Sequence, residues 1–249
     1  MKSNNRYGQN FLINDDTVKK FIEQAKITSL DSVYEIGTGN GILTKSLCKQ
    51  AKYVVSSEID PYLYNLSLNK FSEYNNLKIL NIDGLTYTGK FDIFVSSLPY
   101  SESERFIYWL INQQFKHAVV ILQKEFTDKL LSITNLGSYR SISVITQYCF
   151  DIDPIEILPP SNFQPRPKVS STLAIIKPKN ILNKNEILMI KKLFSFRRKQ
   201  LGSILSLLNS SEGLLSYYSD NIDLSKRIYE FSPDIIVSLV RHLISDSRS

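Results

Sequence analysis

The tetrapeptide Ser97-Leu98-Pro99-Tyr100 combines groups that could hold a flat heteroaromatic ring at the end of an apolar run. The Ser97 hydroxyl and the Leu98 carbonyl are hydrogen-bond acceptors. Pro99 fixes the backbone of the turn, and Tyr100 offers a ring on which an extruded base can stack. A ring amino group is a poor nucleophile because its lone pair is delocalised, so two acceptors on its hydrogens would hold the nitrogen nearly tetrahedral for methylation. The structural alternative is a strand-ending turn with a packed tyrosine.

A second candidate site is the stretch VYEIGTGNGILTKSL, residues 33–47, in which a strand, a glycine-rich turn and a helix start follow one another. This order lets backbone amides approach a ligand at the carboxyl end of a strand. The dinucleotide fingerprint G-x-G-x-x-G is incomplete, since Ile42 stands where the third glycine would follow Gly37 and Gly39. The pattern therefore disfavours a nicotinamide or flavin cofactor.

Three carboxylates fall near the strand ends around this loop. Glu35 precedes the glycines, and Glu58 follows Gly37 by about 20 residues, the spacing at which an acid accepts from ribose hydroxyls. Asp83 ends the next predicted strand and could accept from an adenine amino group. Any one of these acids alone would equally be an ordinary strand-end carboxylate. Together they predict a site for S-adenosylmethionine.

The elements that must position these residues alternate between strands and helices. Asn14 and the two aspartates after it predict the start of an amphipathic helix whose apolar residues are Val18, Phe21, Ile22 and Ala25. Short runs rich in Val, Ile and Tyr, separated by segments long enough for crossover helices, predict a parallel sheet covered on both faces. These strands are Ser32 to Ile36, Tyr53 to Ile59, Leu77 to Ile82, Phe91 to Ser96 and His117 to Leu122.

The C-terminal part of the chain follows a different pattern. Two further runs, Ser143 to Phe150 and Val169 to Ile176, flank the proline-rich stretch 154–167 and predict a hairpin at the sheet edge. Beyond position 180 only helical spacing remains. We therefore expect an α/β fold, a Rossmann-like sheet of the S-adenosylmethionine-dependent methyltransferase type, in a catalytic domain over residues 1–180. A small all-helical domain is expected over residues 181–249.

Net charge and cysteine usage restrict the setting in which the chain works. A formal net charge of +6 and a pI near 9.1 favour an anionic partner. Cys48 and Cys149 lie far apart without a C-x-x-C spacing, so neither a disulfide framework nor a zinc site is encoded. No apolar run approaches the roughly 20 residues of a membrane span, and the first residues lack the apolar stretch of a signal peptide. We expect a soluble, cytoplasmic, monomeric protein without a bound metal.

Several motifs, in order along most of the chain, resemble those of the ribosomal RNA adenine dimethyltransferases, which include the KsgA type and the Erm antibiotic-resistance type. YGQNFL at 7–12 is similar to the family's opening motif, EIGTGNG at 35–41 to its cofactor loop, and SEID at 57–60 to its ribose acid. SLPY at 97–100 resembles the catalytic N-[LI]-P-Y. Later similarities are LQKEF at 122–126, PPSNFQPRPKVSS at 159–171 and FRRKQL at 196–201.

The resemblance implies S-adenosylmethionine as the cofactor and S-adenosylhomocysteine as a product. Asn10 and Leu12 would close over the methionine end, Glu58 would hold the ribose, and Asp83 would hold the adenine. The full set of implied cofactor contacts is Gln9, Asn10, Leu12, Gly37, Glu58, Asp83 and Ser97.

The resemblance also implies a catalytic set, consisting of Ser97, Leu98, Pro99, Tyr100 and Phe163. Phe163 would sandwich the target adenine against Tyr100, as enzymes that act on a flipped base require. The alternative for Phe163 is a hydrophobic plug in a proline-rich loop. Ser97 departs from the family's asparagine and offers an oxygen acceptor on a shorter arm, so we expect methyl transfer to persist with a slower second methylation.

The stretch KKLFSFRRKQL, residues 191–201, carries five basic residues and no acid. It predicts phosphate contacts in an RNA-recognition domain through Lys191, Lys192, Arg197, Arg198 and Lys199, the alternative being a solvated helix face. The Arg-Arg-Lys triplet is more similar to the KsgA type. That similarity implies N6,N6-dimethylation of two adjacent adenines in the 3′-terminal hairpin loop of small-subunit ribosomal RNA during ribosome biogenesis. Two other functions stay open, a ribosome-assembly RNA-binding factor with weakened catalysis and an Erm-type methyltransferase of large-subunit RNA.

Overall fold

The computed structural model describes residues 8–208 and 222–246, so Tyr7, the first residue of the opening motif, lies outside the described residues. The chain divides into two compact units, the first comprising residues 1–127 and 151–178 and the second residues 128–150 and 179–249. The segment 128–150, which the sequence places in the N-terminal domain, thus belongs to the second unit.

The first unit is built on a sheet of seven strands. They are β2 (Ser32–Ile36), β3 (Tyr53–Ser57), β4 (Leu77–Leu80), β5 (Ile93–Ser97), β6 (His117–Gln123), β7 (Phe150–Leu158) and β9 (Ser171–Pro178). A separate antiparallel pair joins β1 (Phe11–Leu12) to β8 (Phe163–Gln164).

The sheet runs in the order β4-β3-β2-β5-β6-β9-β7. Neighbours from β4 to β6 are parallel, and β9 is antiparallel to β6. From β2, the strands β3 and β4 follow toward one edge of the sheet, whereas β5 and β6 lie on the other side of β2. Open α/β sheets bind ligands at such a switch point, at the carboxyl ends of the strands. The α/β class and the mostly parallel sheet predicted from the sequence are confirmed.

Nine helices are described: α1 (Asp15–Ala25), α2 (Ile42–Gln50), α3 (Pro61–Lys70), α4 (Ser103–Leu110), α5 (Lys124–Leu130), α6 (Ser141–Cys149), α7 (Lys184–Ser195), α8 (Leu201–Leu207) and α9 (Pro233–Asp246). Helix α1 begins as predicted, since the Asn14 side chain accepts a hydrogen bond from the Thr17 amide at 2.8 Å. The four apolar residues predicted for its inner face are all buried.

Aromatic packing fixes the segments that flank the tetrapeptide. Phe106 and Trp109 of α4 are buried, and Phe106 stacks on Phe94 of β5 with ring centroids 5.2 Å apart. The fully buried Tyr34 of β2 donates from its hydroxyl to the Gly84 carbonyl at 2.7 Å. These contacts fix the positions of the ends of β2, β4 and β5 relative to one another.

The predicted strand over Ser143 to Phe150 is wrong, because residues 141–149 form helix α6. Its β-branched residues favour a strand locally, but Ile142, Ile145 and Cys149 recur at helical spacing and are buried on one face. The strand begins only at Phe150 and continues through Pro154 to Leu158. This strand, β7, is the last of the sheet, where a proline costs no ladder hydrogen bond.

The second unit is helical in its described part, where α6, α7 and α9 pack together. Asn183 caps α7, and its own backbone amide donates to the Glu186 carboxylate, whose other oxygen accepts from Arg241 of α9 at 2.6 Å. Across the described residues, no helix combines the length and apolar character needed to cross a membrane.

Candidate active site

The glycine loop between β2 and α2 lies at the carboxyl edge of the sheet. Gly37 has a φ of +83° and would leave a side chain there with nothing within 4 Å, so its open side faces a cavity. Gly41 has a φ of +73°, and a Cβ there would overlap the Phe71 ring. Both positions favour glycine because of their positive φ. A side chain at Gly37 would in addition enter the cavity, and one at Gly41 would displace Phe71.

Glu58 follows β3 and is 1% exposed at this edge. Its carboxylate accepts from the Gly39 amide at 2.8 Å and from the Asp60 amide at 3.0 Å. The Gln9 side-chain amide donates to the same group at 3.5 Å. Burial raises the pKa of Glu58, and the two backbone donors oppose that rise. The carboxylate is thus held in one orientation, and the oxygen that accepts from Gly39 keeps one lone pair for a further donor.

Glu35 lies on β2 beneath the loop and is 1% exposed. One of its oxygens accepts from the hydroxyls of Ser56, at 2.6 Å, and Thr44, at 2.7 Å. The other, Oε1, has no hydrogen-bond partner among the described residues. Burial raises the pKa of Glu35 to about 7, against the lowering effect of the two hydroxyls. An unpartnered buried acceptor of this kind points to a missing donor.

Asp83 precedes the short 3-10 turn Gly84–Thr86 and caps it by accepting from the Leu85 amide at 3.0 Å. Its other oxygen accepts from Arg105, near the start of α4, at 2.5 Å. Arg105 also contacts the Glu102 carboxylate at 3.2 Å. The side chain of Asp83 is 31% exposed, so it is the most accessible of the three predicted acids.

Two adjoining cavities connect the three acids. The larger, of about 320 Å³, is bordered by Asp83, Leu98 and Arg105, and the smaller, of about 60 Å³, by Glu35 and Ser97. The residues common to both cavities are Gln9, Gly37, Glu58 and Pro99. Glu58 therefore stands at the junction of one extended site, which is where the ribose of an elongated nucleoside ligand would lie.

The residues of the opening motif form one wall of the smaller cavity. Gln9, Asn10, Phe11 and Leu12 line it, and Leu12 pairs with Phe163 across the β1–β8 ladder. Glu35, which carries the unpartnered oxygen, and Gly37 line the same cavity. Buried and half-buried acids with an unpartnered acceptor among them fit S-adenosylmethionine, which carries ribose hydroxyls and amino groups as hydrogen-bond donors.

The tetrapeptide lies at the same edge. Ser97 is the last residue of β5 and lines the smaller cavity, and Pro99 borders both. The Tyr100 hydroxyl is hydrogen-bonded to the Ser171 hydroxyl at 2.7 Å, which anchors the outer end of the ring to β9. Tyr100 itself is only half-buried. The turn is therefore braced on the sheet, and Tyr100 stays partly exposed.

Phe163 is placed differently from Tyr100. It is 3% exposed and belongs to the hydrophobic core beside Leu12 and Phe21. The neighbouring Asn162 holds this loop against α1 by donating to the Thr17 hydroxyl at 2.8 Å. In this conformation the Phe163 ring is a core residue, as in the alternative stated for it from the sequence.

The basic stretch forms a groove within the second unit. A groove of about 460 Å³ is lined by Arg140, Phe194, Ser195, Phe196, Arg197, Arg198 and Lys199. Arg140 and Arg197 both donate to the carbonyls of Gly137 and Tyr139. Lys191 and Lys192 are exposed on α7 but are not part of the groove lining.

Three contacts could not have been found from local sequence. Arg105 reaches Asp83 across 22 positions, and Ser171 reaches Tyr100 across 71. Arg140 joins the basic triplet only because α6 belongs to the second unit. By contrast, the contact between Arg105 and Glu102 has a local signal, because the two residues are three positions apart on one turn.

The model of the ribosomal RNA adenine dimethylase family matches residues 1–244 of the chain. The chain belongs to this family. It is therefore an S-adenosylmethionine-dependent ribosomal RNA adenine dimethyltransferase, and the cofactor and enzyme class predicted from the motifs are confirmed.

Individual relatives extend over nearly the whole dimethyltransferase chain. A Pyrococcus abyssi protein named "Probable ribosomal RNA small subunit methyltransferase A" is 35% identical over 82% of this chain and 76% of its own. A protein of the same name from Thermococcus onnurineus is 30% identical over 98% of this chain and 93% of its own. The crystal structure of a dimethyladenosine transferase from Plasmodium falciparum superposes with a TM-score of 0.82 at 26% identity, covering 95% of this chain and 98% of that one.

Proposed function

We propose that this dimethyltransferase transfers methyl groups to the N6 amino groups of two adjacent adenines in the 3′-terminal hairpin loop of small-subunit ribosomal RNA. The observation that carries the proposal is the placement of Ser97, Leu98 and Pro99 on the borders of two adjoining cavities, which Glu35, Glu58 and Asp83 also border. The names of the Pyrococcus and Thermococcus relatives support the small subunit as the source of the substrate.

Three acids and the opening motif are proposed to hold the cofactor. When bound, S-adenosylmethionine supplies the electrophilic sulfonium methyl group. Glu58, already oriented by two backbone amides, accepts from the ribose hydroxyls, and Asp83 accepts from the adenine amino group. The unpartnered oxygen of Glu35 is available to the amino-acid end, where Gln9, Asn10 and Leu12 form the wall.

The tetrapeptide is proposed to orient the target nitrogen. The Leu98 carbonyl and the Ser97 hydroxyl accept from the two amino hydrogens, so the nitrogen lone pair turns out of the ring plane toward the methyl donor. After the first methylation only one amino hydrogen remains, and only one acceptor can hold it. The shorter Ser97 arm therefore affects the second transfer most, which keeps a slower second methylation as our prediction.

Tyr100 is proposed as the main stacking platform for the flipped adenine. It is partly exposed and its hydroxyl is anchored to Ser171, so little orientational freedom is lost when a base stacks on its ring. A sandwich with Phe163 would require that ring to leave its core position beside Leu12. We therefore propose that Phe163 joins the sandwich only after the β1–β8 segment opens.

The basic groove of the second unit is proposed to bind ribosomal RNA phosphates. Arg197, Arg198 and Lys199 line it together with Arg140, and Lys191 and Lys192 would add contacts along α7. A clustered cationic groove of this kind suits a folded RNA more than a small anion. The expected monomeric state and cytoplasmic location stay predictions.

The experiment that tests the proposal is a reaction of the full chain with methyl-labelled S-adenosylmethionine and small subunits isolated without these methyl groups. We expect label in two adjacent adenines of the 3′-terminal hairpin, identified by mass spectrometry of the mapped fragment. Tight subunit binding without any label would support the assembly-factor alternative. Label in large-subunit RNA alone would support the Erm-type alternative.

Ser97 variants in the same reaction test the turn. Ser97→Ala should lower both methylation steps, whereas Ser97→Asn should raise the ratio of dimethyladenosine to monomethyladenosine because the acceptor arm lengthens. Tyr100→Phe keeps the ring and loses only the bond to Ser171, so its activity should fall less than that of Tyr100→Ala. Equal activity of Ser97→Ala and the parent in both steps would remove Ser97 from the mechanism.

A further inference from the structure

Arg105 forms a bridge between two carboxylates at the border of the larger cavity. One guanidinium nitrogen lies 2.5 Å from Asp83 and another lies 3.2 Å from Glu102. All three residues border the cavity of about 320 Å³. Both carboxylates raise the pKa of Arg105, so the bridge is charged throughout the physiological range.

The bridge leaves the Asp83 carboxylate both fixed and available. One oxygen accepts from the Leu85 amide and the other from Arg105. Each carboxylate oxygen can accept two hydrogen bonds, so each keeps one lone pair for a further donor. Because the Asp83 side chain is 31% exposed, packing alone would leave it free to rotate, and the two donors set its orientation.

Glu102 connects the same bridge to the catalytic turn. It is the last residue of the short 3-10 turn Tyr100–Glu102, which begins at the last residue of the tetrapeptide. Its amide donates to the Pro99 carbonyl at 3.0 Å. Arg105 therefore links the acid at the nucleoside end of the cavity to the backbone that carries Pro99 and Tyr100.

We propose that Arg105 is a positioning residue for cofactor binding, which orients the Asp83 carboxylate toward the adenine amino group and ties it to the catalytic turn through Glu102. This inference rests on the proposed function, because it takes Asp83 as the adenine acceptor. Arg105 does not touch the reacting atoms in this scheme. Its loss weakens cofactor affinity, and the turn itself keeps the Tyr100 anchor on Ser171.

The chain contains a matched control at the opposite edge of the sheet. Lys116 also bridges two carboxylates, with Asp31 at 2.6 Å and Asp92 at 3.3 Å. Its side chain is 60% exposed, close to the 53% of Arg105. Lys116 is not among the residues that border either cavity of the active site. Substituting the two cations one at a time therefore separates loss of an ion pair from loss of a cofactor contact.

The test measures the dissociation constant of S-adenosylmethionine by calorimetry on the full chain as wild type, Arg105→Gln, Arg105→Lys and Lys116→Gln. We expect Arg105→Gln to weaken binding about fivefold, the factor that corresponds to the upper range of exposed ion pairs. Arg105→Lys should recover part of the affinity, since it keeps the charge. Lys116→Gln should leave affinity unchanged, and in methylation assays Arg105→Gln should raise KM for the cofactor more than it lowers kcat.

Three results would overturn the inference. They are unchanged affinity in Arg105→Gln, tighter binding in that variant because Arg105 blocks the adenine position, or an equal loss in Lys116→Gln. Thermal unfolding of the same samples identifies a merely structural role, in which stability falls and affinity does not. Absence of binding by the wild type would instead contradict the proposed function, so the two failures are distinguishable.

Discussion

The amino and carboxyl edges of the parallel sheet carry acids whose ionisation is shifted in opposite directions. At the amino edge, Asp31 precedes β2 and Asp92 precedes β5, with Lys116 between them. The Lys116 ammonium and the Thr28 hydroxyl lower the pKa of Asp31 to about 2. Hydrogen bonds from the Ser32 amide and hydroxyl lower the pKa of Asp92.

At the carboxyl edge, burial has the opposite effect. It raises the pKa of Glu35 to about 7 and also raises the pKa of Glu58. Within residues 8–208 and 222–246, no cation is paired with either acid as Lys116 is with Asp31, and one oxygen of Glu35 has no hydrogen-bond partner there. The amino edge is therefore optimised for stability, whereas the carboxyl edge maintains acids that a ligand would satisfy.

The largest effect we expect from this comparison is on cofactor affinity. Glu58→Gln should weaken S-adenosylmethionine binding by about 100-fold, because charge-assisted hydrogen bonds to two ribose hydroxyls are lost. Asp31→Asn is the matched change at the amino edge and should leave affinity unchanged. Calorimetric titration of both variants provides the measurement, and comparable affinity in the two variants would contradict the division between the edges.

The next largest effect is on the pH dependence of stability at the carboxyl edge. A carboxyl group with a raised pKa binds its proton more tightly in the folded state, so stability falls as pH rises from about 4.5 to about 7. Glu35→Gln removes this dependence, so its stability relative to the wild type should be about 3 kcal/mol higher at pH 8 than at pH 4. Urea unfolding at both pH values measures the difference, and a gap that does not change with pH would show that Glu35 titrates normally.

A smaller effect of opposite sign is expected at the amino edge. Asp31 has a lowered pKa, so its contribution is present above its ordinary value near 3.8 and is lost as pH falls toward about 2. Asp31→Asn should lower the free energy of unfolding at pH 7 by about 1 kcal/mol, the size of a net hydrogen bond. That deficit should shrink in acid. A deficit of equal size at pH 7 and pH 2.5 would show that the Lys116 bridge does not depend on the charge of Asp31.

The sequence was sufficient for features that depend on local pattern. Strand β2 was predicted with its observed bounds, and β3, β4 and β5 within two residues, because buried parallel strands are short apolar runs bounded by polar turns. The carboxyl-edge acids could be found because parallel strands end at one edge of a sheet. The order of the motifs then supplied the cofactor and the target chemistry.

The remaining features depend on contacts that the sequence does not encode locally. Helix α6 was mistaken for a strand because its tertiary burial outweighs the preference of its β-branched residues. The bridge from Arg105 to Asp83, the anchor from Tyr100 to Ser171 and the position of Arg140 all join distant segments. Phe163 shows the converse, since its motif implies a stacking ring and the fold buries it in the core.

The most direct test of the account is amide hydrogen exchange of the wild-type chain with and without saturating S-adenosylmethionine. We predict that protection increases at the carboxyl edge, in peptides covering residues 8–12, 35–41, 57–60, 83–87 and 97–105. The amino edge, in peptides covering residues 28–32, 90–93 and 115–117, should exchange at the same rate in both samples. Protection concentrated at the amino edge, or spread equally over both edges, would contradict the claim that the cofactor binds at the edge where burial raises the pKa values of Glu35 and Glu58.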